Sequence, residues 1–267
     1  MVKIAVAGVR GRMGSRIATL VHKTEGLELA GAFEVGGHPD IGKDIGTLLG
    51  LGSLGVNISD NIEQVLETSD VVIDFTSPAP TIAHVKAAVR KGKAMVIGTT
   101  GFSPEELTEF KGQAAMIPCV FASNMSLGIN LLLKVVADVA KSLGEDYDIE
   151  IVEAHHRMKK DAPSGTALAL ARSLANAMGW DLQEVANFSR EGMIGERKKQ
   201  EIGIQTIRAG DIVGEHTVLF GGMGERIEIS HRASSRETFA RGALRAALWI
   251  KGKPIGIYDM QDVLGLK

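Results

Sequence analysis

The chain has 267 residues, a formal charge of −2 with both signs interspersed, and a single cysteine. That length supports one large or two modest domains with proper cores. The near-neutral charge argues against a general nucleic-acid or membrane-surface binder, and the lone Cys119 excludes an intrachain disulfide, which fits a reducing compartment.

The opening run at residues 2–7 is apolar and ends in glycine, the pattern of a buried first strand. It is too short for a signal-peptide core, and no segment reaches the ~18 apolar residues of a membrane span. The expectation is a cytoplasmic protein without a membrane partner. Residues 12–22 follow as a helix, with Met13, Ile17 and Leu20 at helical spacing, and residues 27–33 as a second strand closed by Glu34. Residues 35–60 are rich in glycine and aspartate and carry weak signals. Apolar strands are expected at 71–75, 94–97 and 116–121. Between them lie a helix with Ile82, Val85 and Val89 on one face and a helix opened by Ser103-Pro104-Glu105-Glu106, a capping box with proline at its first position. Repeated strand–helix units with near-continuous apolar strands indicate a parallel sheet covered by helices on both faces.

After Ser126 the pattern changes. Residues 127–143 read as a long helix. Tyr147, Ile149 and Ile151 alternate with Asp148 and Glu150, the period of a half-exposed strand. A helix over 166–178 ends at Gly179, and strands are expected at 202–209, 216–220 and 226–231, then a last helix at 238–250. The expected fold class is therefore α/β, with an N-terminal parallel-sheet domain of Rossmann type. An α+β domain with an open mixed sheet, one face of which needs cover, would follow. The boundaries expected are 1–126, with 235–267 returning to it, and 127–234.

Gly8-Val9-Arg10-Gly11-Arg12-Met13-Gly14 lies between the first strand and the first helix. Glycines there allow a tight turn and close approach of a pyrophosphate to the helix N-terminus. The spacing departs from the usual fingerprint because Arg10 stands where the middle glycine would be. Glu34, 20 residues beyond Gly14, is placed to accept from a ribose diol. Strand, glycine turn, helix, strand and acid in that order favour dinucleotide binding over a purely structural turn. Gly98-Thr99-Thr100-Gly101 and Ala122-Ser123-Asn124-Met125 each end a later strand, at the carboxyl edge where ligands bind in such sheets. Taken alone, either is equally an ordinary strand-ending turn.

The densest chemistry lies in Glu153-Ala-His155-His156-Arg-Met-Lys159-Lys160-Asp161-Ala-Pro163-Ser164-Gly165-Thr166. Two imidazoles end a strand, where alternation points them to opposite faces. Two ammonium groups follow, and Pro-Ser-Gly-Thr offers N–H groups, a hydroxyl and the positive end of a helix dipole. Acid/base groups beside an anion cradle suit a small, multiply carboxylated substrate. The plainer reading of such a run is a solvated basic turn with an N-cap. Cys119, between apolar neighbours, reads as a buried thiol and not a nucleophile.

With these motifs the chain resembles the 4-hydroxy-tetrahydrodipicolinate reductase family (dihydrodipicolinate reductase) of bacterial lysine and diaminopimelate biosynthesis. Arg190-Glu191-Gly192 and Ser234-Ser235-Arg236 add to the likeness, which spans essentially the whole length. The resemblance implies a reductase whose first domain binds NADH and/or NADPH through Gly8, Val9, Arg10, Gly11, Arg12, Met13, Glu34, Gly98, Thr99, Thr100, Ala122, Ser123, Asn124 and Met125. It implies His155 as the acid/base residue and Lys159 as a proton donor. A dicarboxylate substrate would be held by His156, Lys159, Ser164, Gly165 and Thr166, with no metal. It also implies a homotetramer built through second-domain sheets and no nucleic-acid partner. The family often carries arginine after the acid at position 34; here Val35 stands there. Arg10, Arg12, His38 and Lys43 could compensate by charge, so both cofactors are expected to work, NADH at least as well. Two rival readings are a two-domain dehydrogenase with another substrate, for instance aspartate or an amino-acid semialdehyde (the latter disfavoured by the position of Cys119), and a dinucleotide-sensing regulator, disfavoured by near-neutral charge and the lack of a helix-turn-helix pattern.

Overall fold

The computed structural model describes every residue from Met1 to Lys267. In the first half, strands β1 (Val2–Ala7), β2 (Leu27–Phe33), β3 (Ile58–Ser59), β4 (Val71–Asp74), β5 (Ala94–Ile97) and β6 (Pro118–Phe121) alternate with helices α1 (Arg12–Lys23), α2 (Ile45–Leu48), α3 (Ile62–Thr68), α4 (Pro78–Lys91) and α5 (Pro104–Ala114). Then come α6 (Leu127–Leu143), β7 (Asp148–His155), α7 (Gly165–Met178), α8 (Leu182–Val185), β8 (Ala186–Asn187), β9 (Ile202–Arg208), β10 (Gly214–Gly221) and β11 (Arg226–Ala233). The chain ends with α9 (Glu237–Ile250), β12 (Gly256–Tyr258) and α10 (Met260–Leu264).

Local chemistry sets many of these ends. The Ser103 hydroxyl accepts from the Glu106 N–H, and the Glu106 carboxylate accepts from the Ser103 N–H at 2.8 Å, so the capping box forms with Pro104 opening α5. Ser164 caps α7, which starts one residue earlier than its apolar spacing suggests, and Gly179 ends it in the left-handed region at φ 73°. His156 falls just past β7 rather than within it, so strand alternation does not set its direction.

Contacts divide the chain into two units, Met1–Leu127 with Glu237–Lys267, and Gly128–Arg236. In the first, seven strands form one sheet in the order β12-β6-β5-β4-β1-β2-β3, every neighbouring pair parallel. Parallel strands buried on both faces need apolar side chains on both. Strand β1 sends Ile4 and Val6 to a core with Ile17 and Val21 of α1 and Ala243 and Ala247 of α9. Its Ala5 and Ala7 join a second core with Leu66 of α3, Val85 of α4 and Phe110 of α5. This is the Rossmann-type layering expected, with the strand order reversing between β1 and β4. Cys119 is wholly buried in β6, and burial pushes its thiol up to about 12, so it has no nucleophilic character. Strand β12, three residues paired to β6, was too short to show a period.

In the second unit, five strands run β11-β10-β7-β9-β8. The β10 pairs are antiparallel; β7–β9 and β8–β9 are parallel. This is the open mixed sheet expected. One face carries Ile149, Ile151, Ile204, Val218 and Phe220 against Val136 of α6 and Leu170 and Leu174 of α7. No residue of β11 is buried, and Ile207 and Ile227 are exposed.

Candidate active site

The core-facing stripes of β7, β9 and β10 turn polar at one end. On β7, Ile149 and Ile151 are followed at the same parity by Glu153 and His155; on β9, Ile202 and Ile204 by Thr206 and Arg208; on β10, Phe220 and Val218 lead back to His216. The register places Glu153 opposite both Thr206 and His216, and His155 opposite Arg208. Strand pairing therefore gathers five polar groups from three distant stretches of chain.

Glu153 is the centre, with its side chain wholly buried. Arg208 grips it as a fork, Nη1 donating to Oε2 at 2.9 Å and Nη2 to Oε1 at 2.8 Å. Thr206 and the Ser164 N–H donate to Oε1 at 3.2 and 3.0 Å, and His155 Nδ1 meets Oε2 at 2.6 Å. Burial alone would raise this carboxyl; Arg208, His155 and Ser164 outweigh it and hold it at about 2. An ionised Glu153 fixes the proton of neutral His155 on Nδ1, which leaves Nε2 as the outward atom. Gly214 makes room there: a Cβ at that position would sit 3.0 Å from Nε2.

Burial lowers the pKa of His155, Glu153 raises it, and Lys159 and Arg208 lower it, with a net downward shift. In the ligand-free chain at neutral pH the imidazole is therefore mostly neutral, and fixed positive charge resides on Lys159 and Arg208. Lys159 meets Asp161 Oδ1 at 2.9 Å, and Arg208 donates to the Asp161 carbonyl at 2.6 Å, tying the 156–164 loop to β9. His216 packs edge-on to His155 at 5.2 Å between ring centroids and meets the Ser164 hydroxyl through Nε2 at 3.1 Å. Burial and then the neighbouring His155 push it down to about 4. Ser164, 2% exposed, also accepts from the Ala167 N–H, so its N–H and hydroxyl are already engaged. Gly165 is exposed, with nothing within 4 Å of where a Cβ would sit. In the sequence Glu153 stands without a role of its own, and Thr206, Arg208 and His216 lie outside the motifs. Their signal was a charged or polar residue at core parity in an otherwise apolar stripe.

In the first unit the glycine turn has the expected geometry. Gly8 adopts φ 62° and its carbonyl accepts from the Gly11 N–H at 2.9 Å. A Cβ on Gly8 would press on Thr76 Cγ2 at 2.8 Å, and Thr76 is held by the buried Asp74 carboxylate through its N–H at 2.8 Å and hydroxyl at 2.7 Å. Asp74 also meets His84 Nδ1 at 2.7 Å. Bare backbone at Gly8 and Gly11 before α1 fits a pyrophosphate on the N–H groups of the helix start, and Gly14, inside α1, lets the helix pack against the Gly8 carbonyl, which a Cβ there would strike. Glu34 accepts from the Arg10 and Val35 N–H groups, each at 3.0 Å, which leaves acceptor capacity for a ribose diol. Arg12 and Thr100 are exposed, whereas Val9, Thr99 and Met125 are buried, so these three offer only backbone. Thr99 is bonded to Thr81 at 2.8 Å, and Asn124 accepts from the Ser126 N–H at 2.9 Å. No helix is long and apolar enough to cross a membrane.

Known proteins match both units. The family model for the N-terminus of dihydrodipicolinate reductase matches residues 2–125, and that for its C-terminus residues 128–264. The 4-hydroxy-tetrahydrodipicolinate reductase of Syntrophobacter fumaroxidans is 58% identical over 267 residues and that of Geotalea daltonii 57%, each covering 100% of both chains. Among solved structures, a dipicolinate-bound dihydrodipicolinate reductase from Paenisporosarcina sp. TG-14 superposes with a TM-score of 0.77 at 25% identity, covering 98% of each chain. The chain thus belongs to the dihydrodipicolinate reductase family, NAD(P)H-dependent oxidoreductases that reduce 4-hydroxy-tetrahydrodipicolinate in lysine biosynthesis.

Proposed function

We propose that His155, oriented by Glu153, is the acid/base residue of this reduction and that Lys159 supplies a further proton or fixed positive charge. The observation that carries this is the 2.6 Å contact between His155 Nδ1 and a wholly buried, Arg208-clamped Glu153. It leaves Nε2 facing outward beside a helix N-terminus. A bound reduced nicotinamide would supply the hydride. The two substrate carboxylates lie against the start of α7 at Gly165 and Thr166, with His156 and Lys159 alongside. Ser164 acts from beneath, holding Glu153 and capping α7. Two anions near His155 raise its pKa, so substrate binding charges the imidazole that the free chain keeps neutral. His155 then delivers a proton through Nε2 as electron density reaches the substrate.

In this reading residues 1–126, with 235–267, bind the dinucleotide, and residues 127–234 bind the substrate and self-associate. Gly8–Gly14 cradles the pyrophosphate by backbone and Glu34 accepts from the adenosine ribose. Residues 98–100 and 122–125 complete the cofactor edge. The uncovered β11, with Ile207 and Ile227 exposed, supports a homotetramer joined through these sheets, working in the cytoplasm. NADH serves at least as well as NADPH, because Glu34 repels a 2′-phosphate and Val35 offers it nothing.

The test is spectrophotometric. Freshly generated hydroxy-tetrahydrodipicolinate is added to the protein with NADH or NADPH and nicotinamide absorbance is followed. Oxidation of both, at least as efficient with NADH and nearly abolished in His155→Gln, is expected. Near-normal turnover in His155→Gln would remove it from the mechanism.

A further inference from the structure

We infer that Asp40 sets the choice between NADH and NADPH, by holding two cations that would otherwise be free to meet a 2′-phosphate. Arg10 bridges the two acids of this rim. Its backbone N–H donates to Glu34 Oε2 at 3.0 Å and its side-chain Nε to Asp40 Oδ2 at 2.8 Å. Lys43 binds the other oxygen of Asp40, Oδ1, also at 2.8 Å. One carboxylate thus engages two of the basic groups that could offset the missing arginine at Val35, Arg10 and Lys43. The Asp40 N–H also donates to His38 Nδ1, at 3.2 Å.

The arrangement is anchored. The Asp40 side chain is 14% exposed. The loop that bears it is pinned to β3, where the Gly42 N–H donates to the Ile58 carbonyl at 2.8 Å and the Ile58 N–H to the Lys43 carbonyl at 2.9 Å. Asp40 itself lies below its ordinary pKa: the Lys43 contact outweighs the opposing effect of burial, and Arg10 adds a smaller push in the same direction as Lys43. It therefore stays charged throughout the working range. A 2′-phosphate arriving beside Glu34 meets a second carboxylate that competes for the same guanidinium and ammonium. A ribose hydroxyl meets no such penalty. Asp40 acts through Arg10 and Lys43 and is a positioning residue.

The inference rests on Glu34 lying at the adenosine ribose, and the test separates the two. Dissociation constants for NADH and NADPH are measured on the full chain by nicotinamide fluorescence, and their ratio is the readout, since general damage cancels in it. Asp40→Asn should move the ratio toward NADPH by about fivefold, the scale of a partly exposed charge contact, with the gain shrinking at high salt. Lys43→Met, which leaves Asp40 less neutralised, should move it the other way by about threefold. An unchanged ratio in both variants, with a ratio that does shift in Glu34→Gln, would overturn the role of Asp40 alone. An unchanged ratio in all three would remove the ribose from this rim altogether, and the inference with it.

Discussion

The two units build their sites by different means. In the first, the turn proposed to cradle the cofactor's pyrophosphate is a contiguous stretch: Gly8 to Gly14 bends by backbone geometry. In the second, the centre is assembled across strands. Glu153 and His155 come from β7, Thr206 and Arg208 from β9 and His216 from β10, and they meet only because the register pairs them. A site made of local backbone tolerates change elsewhere in its sheet. A site made of register depends on a buried charge and every partner that pays for it.

The comparison is broken most sharply at His155. Its replacement by glutamine keeps the shape but loses a group able to carry a proton near neutral pH, so turnover should fall by about 10² or more. Fluorescence titration should show NADH affinity unchanged, since the proposed cofactor contacts all lie in the first unit; a parallel loss of both would erase the distinction.

Arg208→Met tests the cost of register. It strips the fork from a wholly buried Glu153, and breaking such a pair should lower stability by roughly 3 kcal/mol in denaturant unfolding. Turnover should fall with it as His155 loses its orienting anion. Unaltered stability would show that Glu153 is held well enough by Ser164 and Thr206.

Smaller changes sharpen the picture of the cradle. Lys159→Ala should weaken binding of pyridine-2,6-dicarboxylate by about tenfold and Thr166→Ala by less, because a charge-assisted contact is about twice as strong as a neutral one. Calorimetry showing full affinity in both would place the anion site elsewhere. In the first unit, Val35→Arg should shift preference toward NADPH by about tenfold, the scale of one ~1.4 kcal/mol contact. A wild-type chain that binds NADPH far more tightly than NADH would contradict the role given to Glu34.

The same contrast explains what could be read without coordinates. The glycine turn, the capping box at Ser103, the Ser164 cap and the alternation at Ile149 and Ile151 are short-range signals, and each stands where its chemistry places it. Cross-strand partners are not short-range. Nothing near Arg208 in the chain says that it will face His155, and His216 reads as one more residue of a half-buried strand. Parity does carry a trace, since Thr206, Arg208 and His216 all continue apolar stripes. Turning that trace into a site needs the register, which depends on the whole sheet. The direction of the His155 shift was likewise hidden: a histidine beside a glutamate suggests a raised pKa, and only burial, with Lys159 and Arg208 nearby, reverses it.

The most direct measurement is the NMR titration of the His155 ring protons, assigned by their loss in His155→Gln, with and without saturating pyridine-2,6-dicarboxylate. In the free chain His155 should titrate below 6.5, neutral above that point and charged only as pH falls through it. With the dianion bound the midpoint should rise, because two carboxylates favour the imidazolium, and binding near neutral pH should take up a proton. A His155 that titrates above 6.5 when free, or that ignores the dicarboxylate, would contradict an acid held neutral by burial and charged by its substrate.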